Sequence, residues 1–290
     1  MKLLWLGLLG ACFLLPAGLP LAQPIPEDLT FPVERSSFSV FSRPQMALYK
    51  PEGAGPFPAL VLHHQCGGLG GRAGNQSMLT WAKEAVAQGY VAMLIDSLGP
   101  RGVDTVCMGP KNGVTFFRGA KDALQAAAHL RTLPYVDGKR VALVGFSWGA
   151  MVGLLNSSPS AVPTVTTPRF AAIVSFYPGC FTLRPSIGSP YELIRPDLDT
   201  PLLVMMGGQD TETPAEECLQ KLQPIQSKGV ALQLHVYPEA THCWDCKHLD
   251  GFSKTDSRGS RVSYKYSEEV TADSRQRMFE FLGQTMRPGS

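Results

Sequence analysis

The chain has 290 residues, of which 44% are hydrophobic and 17% charged. That is enough apolar material for one sizeable α/β core, and single α/β domains often reach this length. A net charge of +2, spread along the chain, excludes the concentrated basic face of a nucleic-acid-binding protein.

The N-terminus reads differently from the rest. Lys2 precedes an apolar run from Leu3 to Leu15, then Pro16, Pro20 and a small-residue site at Leu21-Ala22. This is the layout of a secretory signal peptide, with cleavage expected after Ala22. The run is shorter than the roughly 20 residues a transmembrane helix needs, so no stable membrane insertion is expected. Residues 1–22 are therefore read as a leader and 23–290 as a single domain, exported to the periplasm or the medium. Leu9-Gly10-Ala11-Cys12 resembles a lipobox, but the apolar run continues past Cys12, which argues against lipidation there.

Two short strands are predicted first, at Phe38–Phe41 and Met46–Tyr49, followed by a Gly- and Pro-rich turn from Pro51 to Pro58. Ala59–Leu62 reads as a buried strand and His63–Gly71 as a glycine-rich loop. Gln76–Gln88 reads as a helix ended by Gly89, and Tyr90–Ile95 as a buried strand ending at Asp96. Phe116–Leu133 places Ala120, Ala123, Leu124, Ala127 and Leu130 on one side of a helix. Val141–Val144 is a strand and Ala150–Leu155 opens a helix; Ala171–Ser175 and Leu202–Met206 are further strands. Thr213-Pro214-Ala215-Glu216 predicts a helix start, with Thr213 as N-cap, Pro214 in the first helical position and Glu216 completing a capping box. Leu232–Tyr237 is the last predicted strand and Ser267–Met286 the closing helix. Strands alternating with helices predict an α/β fold, a mostly parallel central sheet with helices on both faces. Ligands bind such sheets at the carboxyl ends of the strands.

Gly145-Phe146-Ser147-Trp148-Gly149 joins a predicted strand directly to a predicted helix. Strand, G-x-S-x-G, helix is the context of a nucleophile elbow, where glycines make room for a serine on a sharp turn. A serine hydroxyl needs a base to take its proton, and the base needs a carboxylate to orient it. Asp210 follows the strand Leu202–Met206, and His242 follows the strand Leu232–Tyr237. Both the order Ser, Asp, His and the strand-end positions fit. Glu212 and Asp245 are the rival carboxylates; His235 lies inside a strand and His248 further on. His63 and His64 read as packing and hydrogen-bonding groups.

Five segments together resemble the dienelactone hydrolase family of α/β-hydrolases. They are His64-Gln65-Cys66-Gly67-Gly68, Asp96-Ser97-Leu98-Gly99-Pro100-Arg101-Gly102, the Ser147 elbow, Gly207-Gly208-Gln209-Asp210 and Tyr237-Pro238-Glu239-Ala240-Thr241-His242. The resemblance implies the α/β-hydrolase fold and a small-molecule ester substrate. It implies Ser147 as nucleophile, Asp210 as orienting acid and His242 as base. No cofactor and no metal are expected. Dienelactone hydrolases proper use a cysteine nucleophile, so Ser147 favours ordinary carboxylic esters. The expected oxyanion hole is the backbone N–H of Trp148 with a second N–H from Gln65 or Cys66. Activity is expected to rise with pH through a histidine pKa of roughly 6–7. Arg101 is a candidate for binding a substrate carboxylate, as arginines near this place do in the family, or for a structural role. Trp148, Tyr177 and Phe181 are candidates for an acyl pocket or for plain core.

Without Cys12, six cysteines remain, with 15 possible pairings. Loop positions at the strand ends of the expected fold pair Cys66 with Cys107 and Cys180 with Cys218; Cys243 and Cys246 form the third pair. The segment His242-Cys243-Trp244-Asp245-Cys246-Lys247-His248 also invites haem, zinc and redox readings. Lys247 breaks the C-x-x-C-H haem motif, a second CxxC for zinc is missing, and the CxxC lies far from the first βαβ unit. A small disulfide stiffening the His242 loop is the expected role. A peptidase, an acyltransferase and a non-catalytic binding module are the competing functions; the complete Ser–Asp–His set argues against the last. Acyl chain length and oligomeric state are not legible.

Overall fold

The computed structural model describes residues 25–38, 44–70, 75–161, 168–185 and 188–287. The expected leader with Cys12 lies outside the described residues, as does the predicted strand Phe38–Phe41 beyond its first residue.

Among the described residues, seven strands form one sheet: β1 (Ala47–Tyr49), β2 (Phe57–His63), β3 (Val91–Ile95), β4 (Val136–Phe146), β5 (Ile173–Phe176), β6 (Leu202–Gly207) and β7 (Leu232–Tyr237). Their order is β1-β3-β2-β4-β5-β6-β7. β1 pairs antiparallel with β3, and every other pair is parallel. Successive side chains on a strand point to opposite faces, which divides the core in two. Val61, Met93, Leu143, Ile173 and Val204 face one side, while Leu62, Leu94, Val144, Val174 and Met205 face the other. Both faces are covered, so the central strands read as unbroken apolar runs.

α2 (Phe116–Arg131), α3 (Trp148–Asn156) and α4 (Ala215–Gln226) cover the first face through residues such as Ala123, Leu154 and Leu222. α1 (Gln76–Ala87) and α5 (Glu268–Thr285) cover the second through Met78, Trp81, Met278 and Phe281. Capping fixes two of these ends. Thr115 accepts from the Arg118 N–H at the start of α2, and Ser267 from the Val270 N–H at the start of α5.

The start of α4 differs from the expected capping box. Pro214 occupies the N-cap, no side chain caps the helix, and Thr213 turns its hydroxyl toward Asp210 instead. A hairpin that the sequence did not announce, β8 (Ser253–Thr255) with β9 (Arg261–Ser263), follows the His242 loop. Its strands are polar and mostly exposed, with Val262 alone buried among their residues, so no apolar alternation marks them.

Candidate active site

Ser147 stands between β4 and α3 with φ 50° and ψ −108°, a left-handed conformation that costs a residue with a side chain on the order of 1–3 kcal/mol. The surroundings hold it there. The Ser147 N–H donates to Phe176 O on β5, and its carbonyl accepts from Met151. A Cβ on Gly145 would lie 2.1 Å from the Gly149 oxygen, and one on Gly149 would lie 2.3 Å from the His63 oxygen. Glycine at both positions lets the helix start settle onto the β2 loop, where the Gly149 N–H donates to His64 O.

The sheet order brings the other two residues to this point. Asp210 follows β6 and His242 follows β7, neighbouring strands on the same side of β4. His242 Nε2 lies 2.9 Å from Ser147 Oγ, and Nδ1 lies 2.7 Å from Asp210 Oδ2. With Nδ1 carrying the proton toward Asp210, Nε2 is the acceptor for the serine hydroxyl. Asp210 collects four donors: the Glu212 and Thr213 N–H groups on Oδ1, and His242 with the Thr213 hydroxyl on Oδ2. Burial alone would lower the His242 pKa, but the Asp210 charge and hydrogen bond, with Glu212 beyond them, hold it above its ordinary value.

The rival carboxylates fall elsewhere. Asp245 is buried behind the site, accepting from Tyr177 Oη and Trp81 Nε1 at 2.7 Å each. Burial pushes its pKa up. Glu212 approaches His242 from the side of Ser147, with Oε2 3.8 Å from Nε2. It is held by Lys254 Nζ at 2.8 Å and the Tyr264 hydroxyl at 2.6 Å, both brought by the hairpin region. Lys254 and Tyr264 carried no motif that could have marked them; Thr213 stood out only as a helix N-cap and Glu212 only as a carboxylate near Asp210.

Two expected substrate contacts are corrected. Arg101 directs Nη1 to Ser97 O and Asp122 Oδ2, Nη2 to Glu27 O and Asp122 Oδ1, and Nε to Pro26 O. All five guanidinium donors are engaged inside the fold, the residue is 3% exposed, and it does not border the cavity at Ser147. Tyr177 is also fully buried, outside that cavity, with its ring against His242 at 4.8 Å and its hydroxyl on Asp245. It supports the histidine from behind, so no face of it is left for substrate.

The cavity at Ser147 has a volume of about 270 Å³. Its wall is mainly apolar, including Val106, Phe116, Trp148, Met151, Phe181 and Leu183, with Arg184 and Arg258 also on it. Arg258 lies over the Phe181 ring at 4.7 Å and donates to Glu217 and to the Glu212 carbonyl. Trp148 and Cys66 border the cavity, whereas the Gln65 side chain points to Asn75 and Tyr177. As the first residue of α3, Trp148 has a backbone N–H with no intrahelical partner. His63 and His64 are fully buried against Trp148, and burial lowers both pKa values.

Disulfides join Cys66 to Cys107, Cys180 to Cys218 and Cys243 to Cys246. Cys243, Asp245 and Cys246 cluster closely enough to suggest a metal site, but with the two sulfurs bonded to each other neither is a thiolate ligand.

A serine elbow above a largely parallel sheet, with an antiparallel first strand and helices on both faces, defines an α/β-hydrolase. The model of the family described as "Dienelactone hydrolase family" matches residues 45–286, and the chain belongs to that family. A Salmonella typhimurium protein named "Putative carboxymethylenebutenolidase" is 28% identical over 150 residues, covering 51% of this chain and 47% of that protein. The chain thus spans about half the length of the curated relatives it matches. Among solved structures, a "Putative Dienelactone Hydrolase" from Klebsiella pneumoniae aligns with TM-score 0.60 and 20% identity, covering 82% of this chain and 93% of that one. Thermogutta terrifontis esterase 2, phosphonylated by cyclosarin, aligns with TM-score 0.61 and 17% identity, covering 84% and 90%.

Proposed function

We propose that the protein is an exported serine hydrolase that cleaves carboxylic esters through an acyl-enzyme, with Ser147 as nucleophile, His242 as base and Asp210 as orienting acid. The observation that carries this reading is the hydrogen-bonded line from Ser147 Oγ to His242 Nε2, 2.9 Å, and from Nδ1 to Asp210 Oδ2, 2.7 Å. In this mechanism Ser147 attacks the ester carbonyl as its proton passes to His242. The backbone N–H groups of Trp148 and Cys66, two residues that border the cavity, donate to the oxyanion. His242 then gives its proton to the leaving alcohol, and water releases the acid. The apolar wall and a volume of about 270 Å³ suit short or branched acyl groups. Export accords with three disulfides, which persist in oxidising compartments. Among the described residues, no helix is long and apolar enough to cross a membrane.

The test is hydrolysis of 4-nitrophenyl acetate and butyrate by the unreduced protein and by Ser147→Ala. Turnover in the parent and its loss in the variant are expected. Equal rates in both would remove Ser147 from the mechanism.

A further inference from the structure

Glu212 is a carboxylate that the acylation steps do not use. It lies two residues after Asp210, yet it reaches the opposite nitrogen of the same imidazole. Its Oε2 is 3.8 Å from His242 Nε2, the atom that also meets Ser147 Oγ at 2.9 Å. Its side chain is 14% exposed, and the residue borders the cavity that contains Ser147. The position is fixed from outside the loop, by Lys254 on Oε1 and Tyr264 on Oε2. Two acceptors 3.8 Å apart are spanned by one water whose oxygen sits about 2.8 Å from each. Such a water donates one hydrogen bond to Nε2 and one to Glu212, which leaves its lone pairs free for an acyl carbon on Ser147.

We propose that Glu212 holds the attacking water of the second half-reaction. This rests on the acyl-enzyme reading above. As the water oxygen bonds to the acyl carbon, one of its protons passes to His242 Nε2. The bond from the acyl carbon to Ser147 Oγ then breaks, Nε2 returns the proton to Oγ, and the carboxylic acid leaves. In acylation the serine hydroxyl occupies Nε2 itself, so the loss of Glu212 falls mainly on deacylation. The other ionisable groups facing His242 are Asp210 from the loop after β6, Lys254 on β8, Tyr264 after β9, Tyr177 after β5 and Asp245 on its own loop. Of these, Asp210 holds Nδ1, and Tyr177 and Asp245 lie behind the ring, outside the cavity.

The experiment is pre-steady-state turnover of 4-nitrophenyl butyrate by the full chain and by Glu212→Gln, with Ser147→Ala as blank. For the variant, kcat and KM fall together, on the order of 10–100-fold, while kcat/KM stays within about threefold. 4-Nitrophenol appears as a burst near one equivalent, and intact-mass measurement finds the butyryl-enzyme. An unchanged kcat, or equal falls in kcat and kcat/KM without a burst, would overturn the proposal. Labelling of Ser147 by diethyl 4-nitrophenyl phosphate at the parental rate shows that the variant's fold and nucleophile are intact. Lys254→Met, which loosens Glu212 without removing it, gives the same kcat and KM pattern at smaller size; a fall confined to kcat/KM counts against the proposal. Parental turnover by Ser147→Ala would instead sink the esterase reading itself, an outcome separate from either result for Glu212.

Discussion

Arg101→Met separates packing from substrate binding. Arg101 forms a bidentate pair with Asp122, whose side chain is fully buried, at 2.7 and 2.8 Å. Removing one partner of a buried pair costs about 3–5 kcal/mol, because the other charge stays behind uncompensated. The Pro26, Glu27 and Ser97 carbonyls lose donors as well. For a chain of this size, each kcal/mol shifts Tm by about 2–4 °C, so a fall of roughly 6–20 °C is expected. The loss depends on pH. Burial already raises the Asp122 pKa above 3.8 despite the Arg101 bonds that lower it, and without the cation it rises further. A carboxyl whose folded pKa exceeds its unfolded one binds more protons when folded, so stability falls as pH rises through that window. The variant therefore lies closer to the parent at pH 5 than at pH 8. Arg101→Met with Asp122→Leu removes the stranded charge and recovers much of the loss. Thermal unfolding at both pH values, with KM for a neutral and a carboxylate-bearing ester, is the assay. An unchanged Tm with KM raised only for the carboxylate ester would refute this account.

Ester hydrolysis should lose rate as pH falls through the His242 pKa, because the imidazole must be neutral to accept the serine proton. That pKa is held up by Asp210 and Glu212, so a pH–rate profile of kcat/KM is expected to inflect above the ordinary value of about 6.5; an inflection below it contradicts the geometry. Thr213→Val deletes one of the four donors on Asp210 and should lower kcat about tenfold with KM little changed, read from steady-state kinetics. Among the disulfides, Cys66–Cys107 and Cys180–Cys218 close separations of 41 and 38 residues, and Cys243–Cys246 only 3. Loop-closure entropy then assigns about 4 kcal/mol to each long bridge and about 2 to the short one. Paired Cys→Ala variants should show the larger Tm loss at the long bridges and the larger activity loss at Cys243–Cys246, whose loop carries His242.

The elbow was legible in the sequence because its requirements are local. Gly145 and Gly149 are needed by backbone atoms within a few ångströms, and the buried strand before Ser147 must be apolar on both faces. The strands and helices behind Asp210 and His242 were legible for the same reason: a fully covered parallel sheet writes each strand as an apolar run. What escaped was the choice between partners. Thr213 has the chemistry of an N-cap and the right spacing for one, but a hydroxyl donates once, and Asp210 Oδ2 at 2.7 Å takes it from the helix. Arg101 ends a 3-10 turn at the carboxyl end of the sheet, where a substrate arginine is expected. Which anion it meets depends on Asp122, near the middle of α2 and 21 residues away. The hairpin that delivers Lys254 and Tyr264 to Glu212 had no apolar alternation to reveal it, since it packs almost nothing except Val262. In each case the missing information is a long-range contact that competes with a local one of similar strength. The residues around His242 are set by such contacts, so Ser147, Asp210 and His242 could be proposed from the sequence, whereas the side chains that surround them could not.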